Sequence, residues 1–294
     1  MFVVTGATGN TGKPIAENLL DQGHEVKVIG RDRERLENLV DRGAIPAVGD
    51  LRDPSFVEEA LDGADAMYAM VPSDFTVQNF RDYQNEIVNS LADAIEQNEV
   101  DHVVALSSLG ARMDSGTGVL LGLHDMEERF QQMPQTNVLF LRPGFFMENF
   151  YNQEPVILDQ NMVAMAIREN RSYPLIHTKD IAEYASKRLL HRDFLGHSHQ
   201  YLLGERNLTF REATKVLGQA LGKPDLQYVQ VDYEDAKHAM MEQGMSEDVA
   251  KRYNDLFRRI NDETIDQDVE RRPDTTTETP FEEFAEEFAA QISE

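Results

Sequence analysis

The chain has 294 residues, which is enough for one large α/β domain or for a domain with a smaller lobe. Its 53 acidic and 28 basic residues give a formal net charge of −25, which argues against direct binding to nucleic-acid phosphates. The lack of cysteine excludes disulfides, thiolate nucleophiles and cysteine-bound metals. No apolar run reaches the roughly 18 residues of a membrane span, and the chain enters a strand directly, so we expect a cytoplasmic protein.

Short apolar strands alternate with amphipathic helices over the first half of the sequence. The predicted strands span residues 2–5, 26–29, 44–48, 66–71, 102–107 and 138–141. The predicted helices span residues 13–22, 33–41, 77–96 and 119–132, with one further helix after Pro54. This order predicts an α/β fold, a doubly wound parallel sheet with helices on both faces.

The alternation fades beyond residue 150. Helices are predicted at residues 178–190, 209–221, 233–243, 246–260 and 280–292, with a strand at residues 200–203. We therefore predict a first domain over residues 1–150 and a smaller, mainly helical lobe over residues 151–294, partly interwoven with the first. The polar, acidic segment 262–280 is predicted to be an extended stretch on the surface.

Three glycines spaced three residues apart follow the first strand. Gly6 permits the sharp turn out of the strand, Gly9 lets the backbone approach a pyrophosphate, and Gly12 lets the next helix pack closely on the strand. The pattern predicts a Rossmann-type dinucleotide site with the pyrophosphate at the helix N-terminus; the alternative is a tight turn without a ligand. The predicted contacts in this loop are Gly6, Thr8, Gly9, Asn10, Thr11 and Gly12.

Arg31 follows the second strand, at the position that meets the adenosine ribose in this type of fold. An arginine there accommodates a 2′-phosphate, whereas an acidic residue accepts hydrogen bonds from the 2′-hydroxyl of NAD. Arg31 therefore favours NADP, and Asp32 directly after it keeps NAD open. Asp50 and Leu51 follow the third strand, where a carboxylate and a backbone amide would hold the edge of the adenine.

Several further segments follow one another in the order found in a known family. They lie at residues 3–12, 49–51, 106–110, 124–128, 141–149, 180–182, 201–204 and 217–224. With them the sequence resembles the NmrA-like group of atypical short-chain dehydrogenases over most of residues 1–225. That group includes NADPH-dependent quinone reductases, triphenylmethane-dye reductases and redox-sensing transcriptional co-regulators. The Arg-Pro-Gly-Phe-Phe-Met-Glu-Asn segment at residues 142–149 is fairly specific to this group, whereas the glycine loop alone is not.

One departure from the wider family concerns proton donation. Typical short-chain dehydrogenases use a Tyr-x-x-x-Lys pair, in which the tyrosine donates a proton to the substrate carbonyl. Here no tyrosine lies between Tyr83 and Tyr151, and no lysine between Lys27 and Lys179. Leu120 or Leu121 takes roughly the tyrosine position. Any proton must come from elsewhere. Quinone reduction tolerates this, because hydride transfer to an electron-poor ring gives a stabilised anion that can take its proton from water.

His124 and Glu128 are candidate catalytic residues. The resemblance implies a histidine near the nicotinamide, oriented by a glutamate, because these two residue types recur here in the quinone reductases. The alternative is an ordinary i,i+4 ion pair on a helix surface, which contributes about 0.2–0.5 kcal/mol.

The aromatic segment, residues 145–149, follows a strand at the edge of the sheet where ligands bind in such folds. Phe145, Phe146 and Met147 offer flat, polarizable apolar surface, and Asn149 a polar group. We predict that this segment contacts the nicotinamide and an aromatic substrate; the alternative is a core between the lobes. The remaining predicted cofactor contacts, at the ends of the fourth and fifth strands, are Met70, Val71, Pro72, Ser107 and Ser108.

These features predict an NAD(P)H-dependent oxidoreductase that reduces quinones or similar flat aromatic electrophiles, with NADP as cofactor and NAD open. A homodimer stays open, and no metal site is expected, since His197 and His199 are interpreted as solvated loop residues. The main alternative is an NAD(P)-binding redox sensor without turnover. A sugar or isoflavonoid-type reductase is a third, less favoured because of the missing lysine.

Overall fold

The computed structural model describes residues 1–292, which contain twelve strands and eleven α-helices. The strands are β1 (Phe2–Val4), β2 (Val26–Gly30), β3 (Ile45–Val48), β4 (Ala66–Ala69), β5 (His102–Leu106), β6 (Asn137–Pro143), β7 (Phe145–Phe146), β8 (Met162–Met165), β9 (Ser172–Ile176), β10 (His197–Leu202), β11 (Asn207–Thr209) and β12 (Gln227–Gln230). The helices are α1 (Gly12–Asp21), α2 (Glu37–Asp41), α3 (Pro54–Leu61), α4 (Phe80–Gln97), α5 (Leu121–Phe130), α6 (Glu154–Gln160), α7 (Thr178–His191), α8 (Phe210–Ala220), α9 (Tyr233–Glu242), α10 (Glu247–Asn261) and α11 (Phe281–Gln291).

Seven strands form one parallel sheet in the order β10-β6-β5-β4-β1-β2-β3. The strand order reverses at β1: the chain adds β2 and β3 on one side of β1, and then β4 to β6 on the other side. Ligands of doubly wound sheets bind at the carboxyl ends of the strands beside such a switch point. The predicted Rossmann-type α/β fold is confirmed, and its geometry directs attention to the loops after β1, β2, β3 and β4.

The two faces of this sheet are buried by different helices. Val3 faces a core cluster that includes Val57 of α3 and Ile87 of α4. Val4, its neighbour in the strand, faces a second cluster with Ile15 of α1. Because successive side chains of a strand point to opposite faces of the sheet, consecutive residues of β1 contribute to the cores on both faces. The near-continuous apolar character of β1 and β4 follows from burial on both sides.

A third core lies beneath the loops after β5 and β6. It is built around two small sheets, β11-β9-β7 and β12-β8, and around helices α8 and α11. From α11, Phe281, Phe284 and Phe288 are each at most 1% exposed. The chain after residue 150 is mainly helical, as predicted, and it has more strands than the single one predicted at 200–203.

The sequence after residue 150 also contributes to the large sheet. Strand β10 is longer than the predicted strand at 200–203 and pairs in parallel with β6, while α7 packs on α1. His197 and His199 therefore lie in a strand and not in a loop. The division at residue 150 stays a prediction, and residues 293–294 of the predicted lobe lie outside the described part of the chain.

Three other predicted elements differ from the structure. The predicted helix at 33–41 is a 3₁₀ turn, Glu34–Leu36, followed by α2. Helix α4 begins at Phe80, whose amide donates to Asp248 Oδ2 at 2.9 Å, so the preceding residues remain a loop. Segment 262–280 is tied to the protein, since Arg271 donates to the carbonyl oxygens of Leu203 and Gly204. Within residues 1–292, no helix has both the length and the apolar character needed to span a bilayer.

Candidate functional site

The three glycines after β1 have different surroundings. Gly6 has a φ of +61°, where a side chain is strained, and a Cβ there would lie 2.7 Å from Cγ of Met70. A Cβ at Gly12 would lie 2.7 Å from the carbonyl carbon of Gly6 and 2.9 Å from the carbonyl oxygen of Thr5. At Gly9, setting aside its chain neighbours, the carbonyl oxygen of Gly6 at 3.3 Å is the only described atom within 4 Å. Neighbouring protein atoms therefore fill the space beside the backbone at Gly6 and Gly12, whereas the space beside Gly9 is free for a ligand.

Hydrogen bonds fix this loop to the end of β4. The Thr5 hydroxyl accepts from the amide of Met70 at 2.7 Å and donates to its carbonyl oxygen at 3.0 Å. The buried hydroxyl of Tyr68 donates to Thr11 Oγ1 at 2.9 Å. Thr11 precedes α1, but among the described residues no side chain caps that helix. The amide of Lys13 donates to the carbonyl oxygen of Gly9 and Pro14 has no N–H, so the Gly12 amide is the N–H of this first turn for which the described residues supply no acceptor, as an anion site requires.

A cavity of about 230 Å³ continues from the loop along the carboxyl ends of β2 and β3. It is lined by Gly6, Thr8, Ile29, Gly30, Arg31, Asp32, Arg35, Gly49, Asp50, Leu51, Pro72, Tyr83 and Ile87. Six predicted cofactor contacts thus meet in one place: Gly6, Thr8, Arg31, Asp50, Leu51 and Pro72. The sequence prediction missed Arg35, Tyr83 and Ile87. For Tyr83 and Ile87 the available signal was the buried face of α4.

Two arginines give one end of the cavity a positive charge. Arg31 and Arg35 both line it, and the carboxylate of Asp32 between them accepts the backbone amide of Glu34 at 2.9 Å. Asp32 therefore caps the turn before α2 and is partly engaged. Two guanidinium groups beside a glycine cradle fit a dinucleotide that carries an extra phosphate on its adenosine ribose.

The other predicted cofactor contacts are less uniform. Met70 lies against Gly6, and Val71 is 9% exposed and belongs to the core. Asn10 is exposed at the tip of the loop, and Ser108 is half-buried just before the 3₁₀ helix Leu109–Arg112.

The Ser107 side chain belongs to a buried polar network. Its hydroxyl donates to Glu127 Oε1, and Arg142 pairs with the same carboxylate through Nε, at 2.9 Å, and Nη2. Arg142 also donates to the hydroxyl of Tyr201 at 3.2 Å. The side chains of Glu127 and Arg142 are only 3% and 11% exposed. This network joins the ends of β5, β6 and β10 to α5, so Ser107 is bound to protein at the position predicted for a cofactor contact.

His124 is oriented by the backbone and not by Glu128. Its Nδ1 lies 2.9 Å from the carbonyl oxygen of Ala111, which fixes the proton on Nδ1 and leaves Nε2 as an acceptor in the neutral ring. Glu128 is exposed, and no ion pair joins it to His124 in the described structure. The acidic residue that α5 buries is Glu127, one position earlier, because that position faces β5 and β6.

The residues of the aromatic segment differ in their burial. Met147 is 1% exposed and belongs to the third core, so in the described structure its side chain packs on protein. Phe145 packs edge-on against Phe150 and Phe210, with ring centroids 6.2 and 5.5 Å apart. Phe146 is partly buried and packs, like Met70, against the cluster under β1 and β4. Phe146 and the half-buried Asn149 remain the candidates for contact with a substrate.

A buried histidine fastens the aromatic segment to α11. His177 Nδ1 lies 2.8 Å from Glu148 Oε1, and its Nε2 lies 3.0 Å from Glu287 Oε2. Burial opposes the charged ring, but the hydrogen bonds and charges of Glu148 and Glu287 outweigh burial and raise the pKa of His177 above 6.5. The ring also packs edge-on against Phe284. When protonated, the ring lies between two carboxylates that would otherwise repel each other; the amide of Lys179 also lies 3.2 Å from its Nδ1.

This bridge predicts a pH-dependent stability. Because folding raises the pKa of His177, its stabilising contribution is complete below about 6.5 and is lost as the pH rises through the raised value. We expect the thermal midpoint of the wild type to fall over that range relative to His177→Asn. An equal substitution at exposed His238 is the control. Identical pH profiles for the wild type and His177→Asn would contradict this assignment.

The fold and the cavity together define a Rossmann-type protein built to bind a dinucleotide. The family model described as "NmrA-like family" matches residues 1–285, and the chain belongs to that family.

Individual relatives agree with this assignment. The chain is 29% identical over 259 residues to the NAD(P)H azoreductase of Xenophilus azovorans, a match that covers 87% of this chain and 86% of that protein. Two solved structures share the fold. The Citrobacter sp. triphenylmethane reductase complexed with NADP(H) has a TM-score of 0.81 at 18% identity, with 98% of this chain and 100% of that chain covered. The Escherichia coli NADPH-dependent quinone oxidoreductase complexed with NADPH has a TM-score of 0.76 at 18% identity, with 98% and 99% covered.

Proposed function

We propose that the chain is an NADPH-dependent reductase of quinones or similar flat aromatic electrophiles. The observation that carries the proposal is the cavity itself, which Gly6 and Thr8 of the glycine loop line together with Arg31 and Arg35. The NAD(P)H azoreductase relative, the dye-reductase structure and the quinone-oxidoreductase structure support the substrate class by their names. We also propose a cytoplasmic location, where reduced dinucleotide is supplied. A homodimer remains one alternative for the oligomeric state.

The residues divide the work of holding the cofactor. The loop at Gly6 to Gly12 would receive the pyrophosphate on backbone N–H groups, and Arg31 and Arg35 would receive the phosphate on the adenosine ribose. When bound, the nicotinamide supplies a hydride. Phe146 would offer an apolar face to the substrate ring, and Asn149 would orient a polar substituent.

Proton supply is the step that this chain arranges differently from enzymes with a Tyr-Lys pair. With its Nδ1 proton held by the carbonyl of Ala111, a neutral His124 has no proton to give from Nε2. Ser107 has its hydroxyl proton directed to Glu127. A substrate whose reduced form is a stabilised anion, which water can protonate, therefore fits this site better than a simple ketone.

The decisive experiment measures turnover. We expect NADPH absorbance to fall when benzoquinones, naphthoquinones or cationic dyes are added. Phe146→Ala or Asn149→Ala should lower turnover while leaving the Kd of NADPH nearly unchanged, since both residues lie on the substrate side. Val229→Ala, in β12, is a control outside the cleft. Tight NADPH binding without oxidation by any acceptor would replace this proposal with the redox-sensor alternative.

Cofactor preference tests the positive end of the cavity. A charge-assisted hydrogen bond contributes about 1.5–3 kcal/mol, so Arg31→Ala should weaken NADPH binding by roughly ten- to a hundredfold and NADH binding very little. Arg35→Ala should act in the same direction. Fluorescence titration of both cofactors measures the effect. Equal affinities of the wild type for NADPH and NADH would show that these arginines do not bind the 2′-phosphate of the adenosine ribose.

A further inference from the structure

Arg52 connects two sides of the cavity without lining it. It lies in the loop between β3 and α3, and its guanidinium pairs with Asp50, with Nη2 2.7 Å from Oδ2 and Nε 3.1 Å from Oδ1. Its backbone amide also donates to Asp50 Oδ1, at 2.9 Å. On its other side, the guanidinium carbon lies 5.5 Å from the ring centroid of Tyr83 on α4. Asp50 and Tyr83 both line the cavity.

This arrangement keeps the Asp50 carboxylate ionised and fixed in direction. The hydrogen bonds from Arg52 lower the pKa of Asp50, and Arg31 adds a smaller effect of the same sign. Three N–H groups of Arg52 donate to this carboxylate: the backbone amide to Oδ1, Nη2 to Oδ2, and Nε to both oxygens, at 3.1 and 3.2 Å. A carboxylate has about four acceptor positions, so among residues 1–292 these three donors leave one for a ligand.

The pair is too exposed to be explained by stability. The side chains of Arg52 and Asp50 are 45% and 38% exposed, and ion pairs at such positions contribute little to folding. A carboxylate held rigid in the free protein instead favours binding, because a ligand does not have to order it.

The neighbours of Asp50 in the cavity indicate what it would bind. Leu51, Ile87 and Tyr83 are nearly buried and offer an apolar surface, next to an acceptor that carries a full charge. A purine with an exocyclic amino group matches both features, since its faces are apolar and the amino group donates. A purine with a carbonyl oxygen at the same position would face the carboxylate acceptor to acceptor.

We infer that Arg52 is a positioning residue that makes the site selective for the 6-amino group of the adenine, by fixing Asp50 and Tyr83 relative to each other. The inference rests on the proposed binding of NADPH and identifies how the base end of that site discriminates.

The test compares NADPH with its 6-deamino analogue, which carries hypoxanthine in place of adenine. Both ligands share the 2′-phosphate and pyrophosphate, so the ratio of their Kd values isolates the base. We expect the wild type to bind NADPH about ten- to a hundredfold more tightly, as for a hydrogen bond to a charged group. In Arg52→Met the ratio should fall below about threefold, because the carboxylate loses its orientation.

Two further variants complete the design. Asp50→Asn should abolish or invert the preference, because an amide can donate to the hypoxanthine oxygen. Arg42→Met, which breaks an ion pair of Arg42 with Asp21 outside the cavity, should leave the ratio unchanged. A wild-type ratio near one, or an unchanged ratio in Arg52→Met, would overturn the inference. Absence of binding for both ligands would instead overturn the proposed function, so the two failures are distinguishable.

Discussion

Gly9→Val is expected to abolish dinucleotide binding while the protein stays folded. The position of a Cβ at residue 9 meets described protein only at the carbonyl oxygen of Gly6, 3.3 Å away, so the chain itself tolerates a side chain with a small adjustment. The two methyl groups of valine would then occupy the space through which a pyrophosphate approaches the backbone. We expect the Kd of NADPH to rise by at least about a hundredfold.

Gly12→Ala is the matched contrast, because there the loss should be in folding. Its Cβ would lie 2.9 Å from the carbonyl oxygen of Thr5 and closer still to Gly6, and backbone on both sides cannot move aside. Circular dichroism should therefore show a lowered thermal midpoint for Gly12→Ala and a native one for Gly9→Val. An unchanged NADPH affinity in folded Gly9→Val would remove the loop from the binding site.

Glu127→Ala is expected to lower the free energy of unfolding by about 3–5 kcal/mol. The substitution leaves the guanidinium of Arg142 buried without its carboxylate, and it also removes the acceptor of the Ser107 hydroxyl. Urea unfolding measures the loss. Glu183→Ala, which breaks the exposed i,i+4 pair with Lys187, is the control and should change stability by less than about 0.5 kcal/mol.

A double variant separates the charge from the packing. Glu127→Leu combined with Arg142→Met removes both charges and restores apolar volume, so it should be more stable than Glu127→Ala alone. A loss below about 1 kcal/mol in Glu127→Ala would show that water reaches this network and that it does not fix the ends of β5 and β6.

The sequence predicted the sheet well because β1, β2, β4 and β5 are buried on both faces and read as apolar runs. Strands β7 and β11 escaped prediction, since they have two and three residues and their pattern is too short to distinguish from a loop. The shortness of β7 also explains why the burial of Met147 was not predicted. Met147 directly follows that strand and begins a 3₁₀ helix, and the sequence has no periodic pattern that indicates this turn.

The sequence predicts those parts of the site that are recognised by residue type and spacing along the chain. It does not predict the parts that depend on which side chains and backbone groups meet in the folded protein. Glycine spacing and the arginine after β2 are visible in the sequence, and both lie at the cavity. The partner of His124 is a backbone carbonyl, which any residue at position 111 would supply. The choice of Glu127 over Glu128 as the buried acid depends on the rotation of α5, and a one-residue change in helical phase decides it.

The return of the chain to the large sheet has a consequence for motion. The chain leaves the sheet after β6, forms the aromatic segment and β7 to β9, and comes back through α7 to β10 before it leaves again. The part of the chain that follows β6 is thus joined to the large sheet by several crossings, and rotation about a single hinge would strain each of these connections. Access to the cleft therefore depends on local movement of surface loops, and small-angle scattering should give the same radius of gyration with and without NADPH.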